Sequence, residues 1–438
     1  MINSIKKIIR ENDFSIDEDE LMRLASIHRD KIVSENFDFG LCERKILTQR
    51  SSNKKKKRIV YSFDKMSTEN ILCEYIKMKL DILFDIKYSD RKKIIKILFN
   101  TLPAVQDLND FVIIRFDFKS FFDSVSSLLI LEEYIYKSSL KRNDKDLFTQ
   151  FCEHFPYCFA GLQTSNAMTE IICIYFDKVF KSRLSKYGIV YCERYVDDVL
   201  VILNKYISEV EFKNLLNESI EIVFKGCRVR INENKFQYIS KRKLPSNCQF
   251  DFLGYLFIIN RQDDKIGYQF GITEAKIHKY KSKIRQSFLD YKKDNDLELF
   301  RHRLKLFSCR IVYSMVSHDE YCHWISKGLI NNYNELRFHM NSIEPKTKSF
   351  MQYVYYQEMY NLKINIPYFM PRKFDIDEES IYNIFSNMRR NRSIVFDEKV
   401  GIKIDTLIRE IRKVKPTYFI GDKNYFQITK DYLDFLKL

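Results

Sequence analysis

Two short stretches place acids where phosphate chemistry would use them. The first is Phe111-Val-Ile-Ile-Arg-Phe-Asp117-Phe-Lys-Ser-Phe121-Phe122-Asp123, a β-branched and aromatic run that ends in a carboxylate and then turns toward a helix. This puts Asp117 at the C-terminal end of a buried strand, where open α/β sheets bind ligands. The second is Arg194-Tyr195-Val196-Asp197-Asp198-Val199-Leu200-Val201-Ile202-Leu203. Two apolar arms flank adjacent acids, a pattern that predicts a β-hairpin with Asp197 and Asp198 at its turn. Each stretch alone has a plain reading, a capping Asp in the first and an exposed Asp-Asp turn in the second. Adjacent carboxylates repel, and more so in apolar surroundings, unless a cation compensates them. Three hard oxygen donors on the ends of neighbouring strands suit Mg²⁺. Two such ions about 4 Å apart activate a hydroxyl and stabilise the leaving group of an in-line displacement. Phosphoryl transfer needs positioning and charge neutralisation more than a protein nucleophile. No Ser-His-Asp or Cys-His grouping surrounds these motifs.

Other elements must hold these acids in place. Ser15-Ile16-Asp17-Glu18 forms a capping box, followed by Leu21, Leu24, Ala25 and His28 at helical spacing. A basic run, Lys54 to Arg58, leads into a short strand, Ile59-Val60-Tyr61, and a helix is expected over Glu69 to Leu83. Strands and helices alternate from Phe111 to about Ile259. Beyond about Gly271 basic amphipathic helices dominate, with few strand signals. Ser317-His318-Asp319-Glu320 reads as another capping box, opening a helix with Tyr321, Trp324, Ile325, Gly328 and Leu329 on one face. Asp375 to Glu378 starts a similar helix, and Pro367 and Pro371 bracket a linker.

The chain of 438 residues is long enough for two or three domains or subdomains, and with 10 Gly and 7 Pro it reads as ordered and helix-rich. No apolar stretch is long enough to span a membrane, and the start lacks a signal-peptide pattern, so the expected location is the cytosol. Ten cysteines are scattered singly with no CxxC pair, as reduced thiols filling a core would be. A formal net charge of +15 suits a polyanionic partner, because Lys and Arg displace counterions from a phosphate backbone.

Asp117 with its Phe-Phe sequel, Gly161-Leu-Gln-Thr-Ser-Asn-Ala, and Tyr195-Val-Asp-Asp resemble palm motifs A, B and C of reverse transcriptases, in the family's order. Asn232-Glu233-Asn234-Lys235 is similar to motif D, Phe252-Leu253-Gly254-Tyr255 to the primer-grip turn of motif E, and Lys57-Arg58-Ile59-Val60 to the fingers segment. The resemblance covers roughly residues 55 to 260. It implies that Asp117, Asp197 and Asp198, with Phe118 among the metal-binding positions, hold two Mg²⁺ ions, for which Mn²⁺ can substitute. It further implies that Phe122 is the gate beneath the sugar of an incoming deoxynucleotide. Arg58 or Lys57 would clamp the triphosphate, and Gln163 and Tyr195 would line the nucleotide pocket. The Gln163 to Asn166 cluster can equally cap the helix that follows it. Lys235 would protonate the leaving pyrophosphate, and Phe252, Leu253 and Gly254 would grip the primer, the glycine permitting a tight turn.

Motif B lacks the Pro-Gln-Gly of retroviral and intron enzymes, and no ribonuclease H, zinc-finger or HNH pattern follows the palm. The combination resembles the bacterial abortive-infection and defence-associated enzymes, relatives of retron and group II intron reverse transcriptases. The implied fold is α+β, a right-hand polymerase: N-terminal helices and fingers over 1–110, a palm with an antiparallel sheet over 111–260, a helical thumb-like region over 261–365 and a helical extension over 366–438. The implied activity is RNA-directed DNA synthesis from dNTPs, copying a structured non-coding RNA into a DNA product in antiphage defence. A second protein or a homo-oligomer completes the set of expected partners, and no membrane does. Two rival readings remain: untemplated or protein-primed synthesis, for which 28 tyrosines offer hydroxyl primers, and a catalytically silent RNA-binding scaffold.

Overall fold

The basic run lies within a strand. β1 (Glu43–Ser51) pairs antiparallel with β2 (Lys54–Ser62), with Ile46 opposite Ile59 and Leu47 opposite Arg58. The strand therefore begins several residues before the β-branched Ile59-Val60 that announced it. The structure is a computed structural model and describes residues 1–13, 16–51, 54–262, 265–316, 322–372 and 380–437. These form two compact units, Met1–Leu244 and Pro245–Leu438. The division falls inside the 111–260 stretch, so motifs A to D lie in the first unit and the E-like turn in the second.

In the first unit, β3 (Val112–Asp117), β4 (Ile189–Tyr195), β5 (Asp198–Leu203) and β6 (Gln237–Ser240) form a sheet ordered β4-β5-β3-β6. All three pairings are antiparallel. β3 is buried along its whole length, which explains why it reads as a nearly continuous apolar run. The pleat sends Val112, Ile114 and Phe116 to one face and Ile113, Arg115 and Asp117 to the other. Phe116 meets Phe118, Phe180 and Phe212 edge-on, with ring centroids 5.9, 5.8 and 6.2 Å away. Helix Gln163–Leu184 supplies Phe180 and, one turn earlier, Phe176, stacked on it at 5.3 Å. Each such buried ring contributes about 2–3 kcal/mol, so this aromatic seam fixes the helix against the sheet.

The helix Glu18–Val33 is capped by Asp17, whose side chain accepts from the Glu20 N–H at 2.8 Å; Ser15, the expected cap, lies outside the described residues. The helix expected over Glu69 to Leu83 is present as Thr68–Leu83, with Ser67 as its cap.

The second unit opens with β7 (Asn247–Phe252), β8 (Tyr255–Gln262) and β9 (Lys265–Ile272), an antiparallel meander. Helices Glu274–Asp294, Leu297–Phe307 and Pro345–Leu362 agree with the expected amphipathic pattern. The expectation of few strands past Gly271 is corrected by a second sheet, β11-β10-β12, made of β10 (Arg310–Val316), β11 (Cys322–Lys327) and β12 (Ser393–Phe396). β12 also interrupts the expected all-helical stretch beyond residue 366, running parallel to β10. Trp324 and Ile325, expected on a helix, sit in β11 opposite Ser314 and Tyr313. Short aromatic and β-branched runs satisfy both periods, and pairing with the strand-like Arg310–Val316 decides between them. The boxes at 317–320 and 375–378 lie outside the described residues. Among those described, no helix is long and apolar enough to cross a membrane.

Candidate functional site

Antiparallel pairing sets Asp117, the last residue of β3, directly opposite Asp198, the first of β5. The β4–β5 turn is only two residues long, Val196-Asp197, and such turns need a positive φ to match the twist of their strands. Val196 supplies it, at φ 59°, a costly conformation for a β-branched residue. The Phe118 N–H donates to the Asp197 carbonyl at 3.2 Å, tying the turn to the end of β3. All three predicted acids therefore meet at one end of the sheet.

Their partners differ. The Arg115 guanidinium grips Asp198 with both prongs, Nε to Oδ1 at 2.9 Å and Nη2 to Oδ2 at 3.2 Å. Lys235 Nζ donates to Asp117 Oδ2. The other Asp117 oxygen, Oδ1, is buried with no hydrogen-bond partner. Burial raises the Asp197 carboxyl above its ordinary range, and the charge of Asp117 pushes the same way. Burial likewise pushes Asp198 up to about 6, outweighing the opposing pull of Arg115.

Among the described residues, no three His, Cys, Asp or Glu side chains gather into one metal-holding group. Of the three expected carboxylates, Asp198 is paired with Arg115, while the charge of Asp117 acts on Asp197 and one Asp117 oxygen is left without a partner. The pair Asp117 and Asp197 fits a divalent cation, because a buried carboxylate oxygen without a partner and a neighbouring acid that resists ionisation both lack positive charge.

The other predicted residues surround this pair unevenly. Lys57 and Arg58 are both exposed on β2 and point to opposite faces. Of the two, Arg58 is the one whose charge acts on Asp197 and on Asp123. The hairpin is seated by Tyr61, whose N–H donates to the Ala160 carbonyl at 2.8 Å and whose ring stacks on Phe159 at 4.5 Å. Gly161 makes that seating fit: at φ +108° its hydrogen faces β2, where a Cβ would lie 2.3 Å from the Tyr61 carbonyl oxygen. Phe121 is buried in the core, stacked on Phe118, while Phe122 stays half-buried beside it. Phe118 is buried too.

Helix Gln163–Leu184 has Leu162 as its N-cap and no side-chain cap, so the capping reading of Gln163 to Asn166 fails. Thr164 bonds the Cys73 carbonyl instead, and Gln163 and Asn166 are exposed on one face. Tyr195 is half-buried at the end of β4. Lys235 ends a short 3-10 turn held by the Asn232 N–H on the Asp117 carbonyl. In the second unit, Leu253 and Gly254 form a two-residue turn with φ of 49° and 86°, and Phe252 is buried beneath it.

Sequence reasoning missed two arginines. Arg115 is the one charged residue within Val112–Phe116, and Arg194 interrupts a largely apolar hairpin arm. A buried charge needs a partner, and that requirement was the available signal.

No protein-family model matches the chain, and no curated protein matches it. Among solved structures, the chain is similar to apo telomerase from Candida tropicalis truncated from its C-terminal domain, at 14% identity and a TM-score of 0.35. The similarity covers 51% of this chain and 54% of that one, so the chain spans about half the length of that structure.

Proposed function

We propose that the chain is an RNA-directed DNA polymerase of the bacterial defence-associated kind, with its chemistry at Asp117 and Asp197. The observation that carries this reading is the meeting of Asp117, Asp197 and Asp198 at one sheet end, with a buried, partnerless oxygen on Asp117. Asp117 and Asp197 would hold divalent ions, with Asp198 joining them if its grip on Arg115 loosens. When bound, the ions would activate a primer hydroxyl and neutralise the charge on the phosphates. Lys235, which bonds Asp117, would donate a proton to the departing pyrophosphate. Arg58 is suited to the triphosphate, since a charge-assisted contact from a planar fork is strong. Phe122 would exclude a 2′-hydroxyl, and Gln163 and Tyr195 would line the base and sugar. Phe252 to Gly254 would steady the primer. The division into fingers, palm, thumb and C-terminal extension belongs to the same proposal, as do a non-coding RNA template and an antiphage role.

The test is incorporation of labelled dNTPs by the purified full chain with Mg²⁺, compared with Asp117→Asn and Asp197→Asn. Incorporation lost in both variants supports the reading; incorporation that persists in either refutes it. Sequencing the copurifying RNA and DNA identifies the template, and protease-sensitive product mobility would instead indicate a protein primer. Plaque counts that Asp197→Ala, Asp198→Ala leaves unchanged would refute a defence role that depends on catalysis.

A further inference from the structure

Arg194 is 7% exposed, and each of its five guanidinium hydrogens has an acceptor. Nη1 donates to Glu170 Oε1 at 3.0 Å and to the Val196 carbonyl at 3.1 Å. Nη2 donates to Glu170 Oε2 at 2.9 Å and to Asp177 Oδ2 at 3.0 Å. Nε donates to Asp177, with Oδ1 at 3.1 Å and Oδ2 at 3.2 Å. Glu170 and Asp177 stand two turns apart on one face of helix Gln163–Leu184. One side chain therefore joins that helix to the turn carrying Asp197.

The bond to Val196 has a geometric consequence. A peptide unit is planar, so fixing the Val196 carbonyl also fixes the Asp197 N–H. The next peptide unit is held by the Phe118 N–H on the Asp197 carbonyl. Both peptide units flanking Asp197 are thus clamped, and its carboxylate keeps only side-chain freedom. The left-handed φ of Val196 needs such a clamp, because strained backbone persists only where its surroundings over-determine it.

We propose that Arg194 is a positioning residue that presets Asp197 for a divalent cation by holding the strained Val196 corner against helix Gln163–Leu184. This rests on the reading of Asp117 and Asp197 as metal ligands. Lysine has three donors and no planar fork, so Arg194→Lys keeps the buried charge for Glu170 and Asp177 but cannot meet all five acceptors.

The experiment titrates Mn²⁺ into the full chain, followed by electron paramagnetic resonance, alongside thermal melting. Arg194→Lys should melt somewhat lower, because a lysine leaves buried acceptors of this cluster without donors. Read well below that transition, it should lose about tenfold in Mn²⁺ affinity, as expected for a residue supporting a metal ligand. Adding Val196→Gly should recover most of that loss, because glycine adopts the left-handed corner without strain. Asp177→Asn, at a half-exposed edge of the cluster, should weaken binding in the same direction by a smaller factor, and it serves if Arg194→Lys fails to fold. Unchanged Mn²⁺ affinity in a folded Arg194→Lys or Asp177→Asn, or a loss that Val196→Gly does not relieve, overturns the proposal. Wild type that binds Mn²⁺ but incorporates no nucleotide would refute the polymerase reading and leave this one standing. Absence of Mn²⁺ binding, or equal binding by Asp117→Asn, overturns both.

Discussion

Gly161→Ala should damage the first unit far more than Gly226→Ala, although both glycines have positive φ, +108° and +69°. A Cβ on Gly226 meets nothing within 4 Å, whereas one on Gly161 falls 2.3 Å from the Tyr61 oxygen, 2.5 Å from Val60 Cγ1 and 3.0 Å from the Tyr61 nitrogen. Both pay a backbone penalty of order 1–3 kcal/mol, no smaller at Gly161, whose φ lies outside the left-handed region open to L-residues. Gly161→Ala alone adds overpacking, about 1–3 kcal/mol, and loss of the Tyr61–Ala160 hydrogen bond, about 1 kcal/mol. The excess of roughly 2–4 kcal/mol corresponds to melting about 5–15 °C lower in a unit of this size. If the β1–β2 hairpin undocks rather than the unit unfolding, the cost moves to Arg58, and the KM for dNTP should rise on the order of tenfold. Calorimetry of both variants beside steady-state kinetics covers both routes. The reasoning fails if the two variants melt within about 2 °C of each other and share one nucleotide KM.

Other outcomes rest on the same geometry. Arg58→Gln should raise the nucleotide KM on the order of tenfold and Lys57→Gln about twofold or less, since Arg58 is the one whose charge acts on Asp197 and Asp123; equal effects would count against Arg58 as the clamp. Phe116→Ala should cost about 3–5 kcal/mol in urea unfolding, because the ring is fully buried among Phe118, Phe180 and Phe212. His302 is buried, bonded through Nδ1 to the Tyr432 hydroxyl at 2.6 Å, with Glu410 and Glu298 at 3.5 and 3.7 Å and the charges of Lys305 and Lys413 acting on it. Burial holds it below its ordinary value of 6.5, so the unfolded chain takes up this proton first. The stability due to neutral His302 is complete above pH 6.5 and declines as pH falls below it. Melting temperatures between pH 7.5 and 5.5 should fall less steeply in His302→Asn than in the wild type, and parallel curves would refute the assignment.

Most of the first unit's chemistry was legible in order along the chain. The run before Asp117 is apolar apart from Arg115 because β3 is buried along its whole length, and a strand covered on both faces leaves a plain trace. The paired arms around Asp197-Asp198 likewise permit little besides a hairpin. The second unit was harder to read. Trp324 and Ile325 satisfy helical and strand spacing equally well, and β12 is only four residues long, too short to impose a period. Their state depends on pairing with β10, which lies next to β11 in sequence but meets β12 only across the long stretch between Val316 and Ser393.

What the sequence by itself determined was which residues are chemically capable: three acids, a lysine, a basic run and a bulky aromatic, each in a recognisable local frame. Local frames arise from neighbours along the chain, and hydrophobic periodicity reports them. The tertiary structure decided which charge faces which. Arg115 takes Asp198, Lys235 takes one oxygen of Asp117, and Arg194 spends all five donors on holding the turn to a helix. Those pairings are between residues as much as 118 positions apart, and Coulombic attraction depends on separation in space, which no spacing along the chain records.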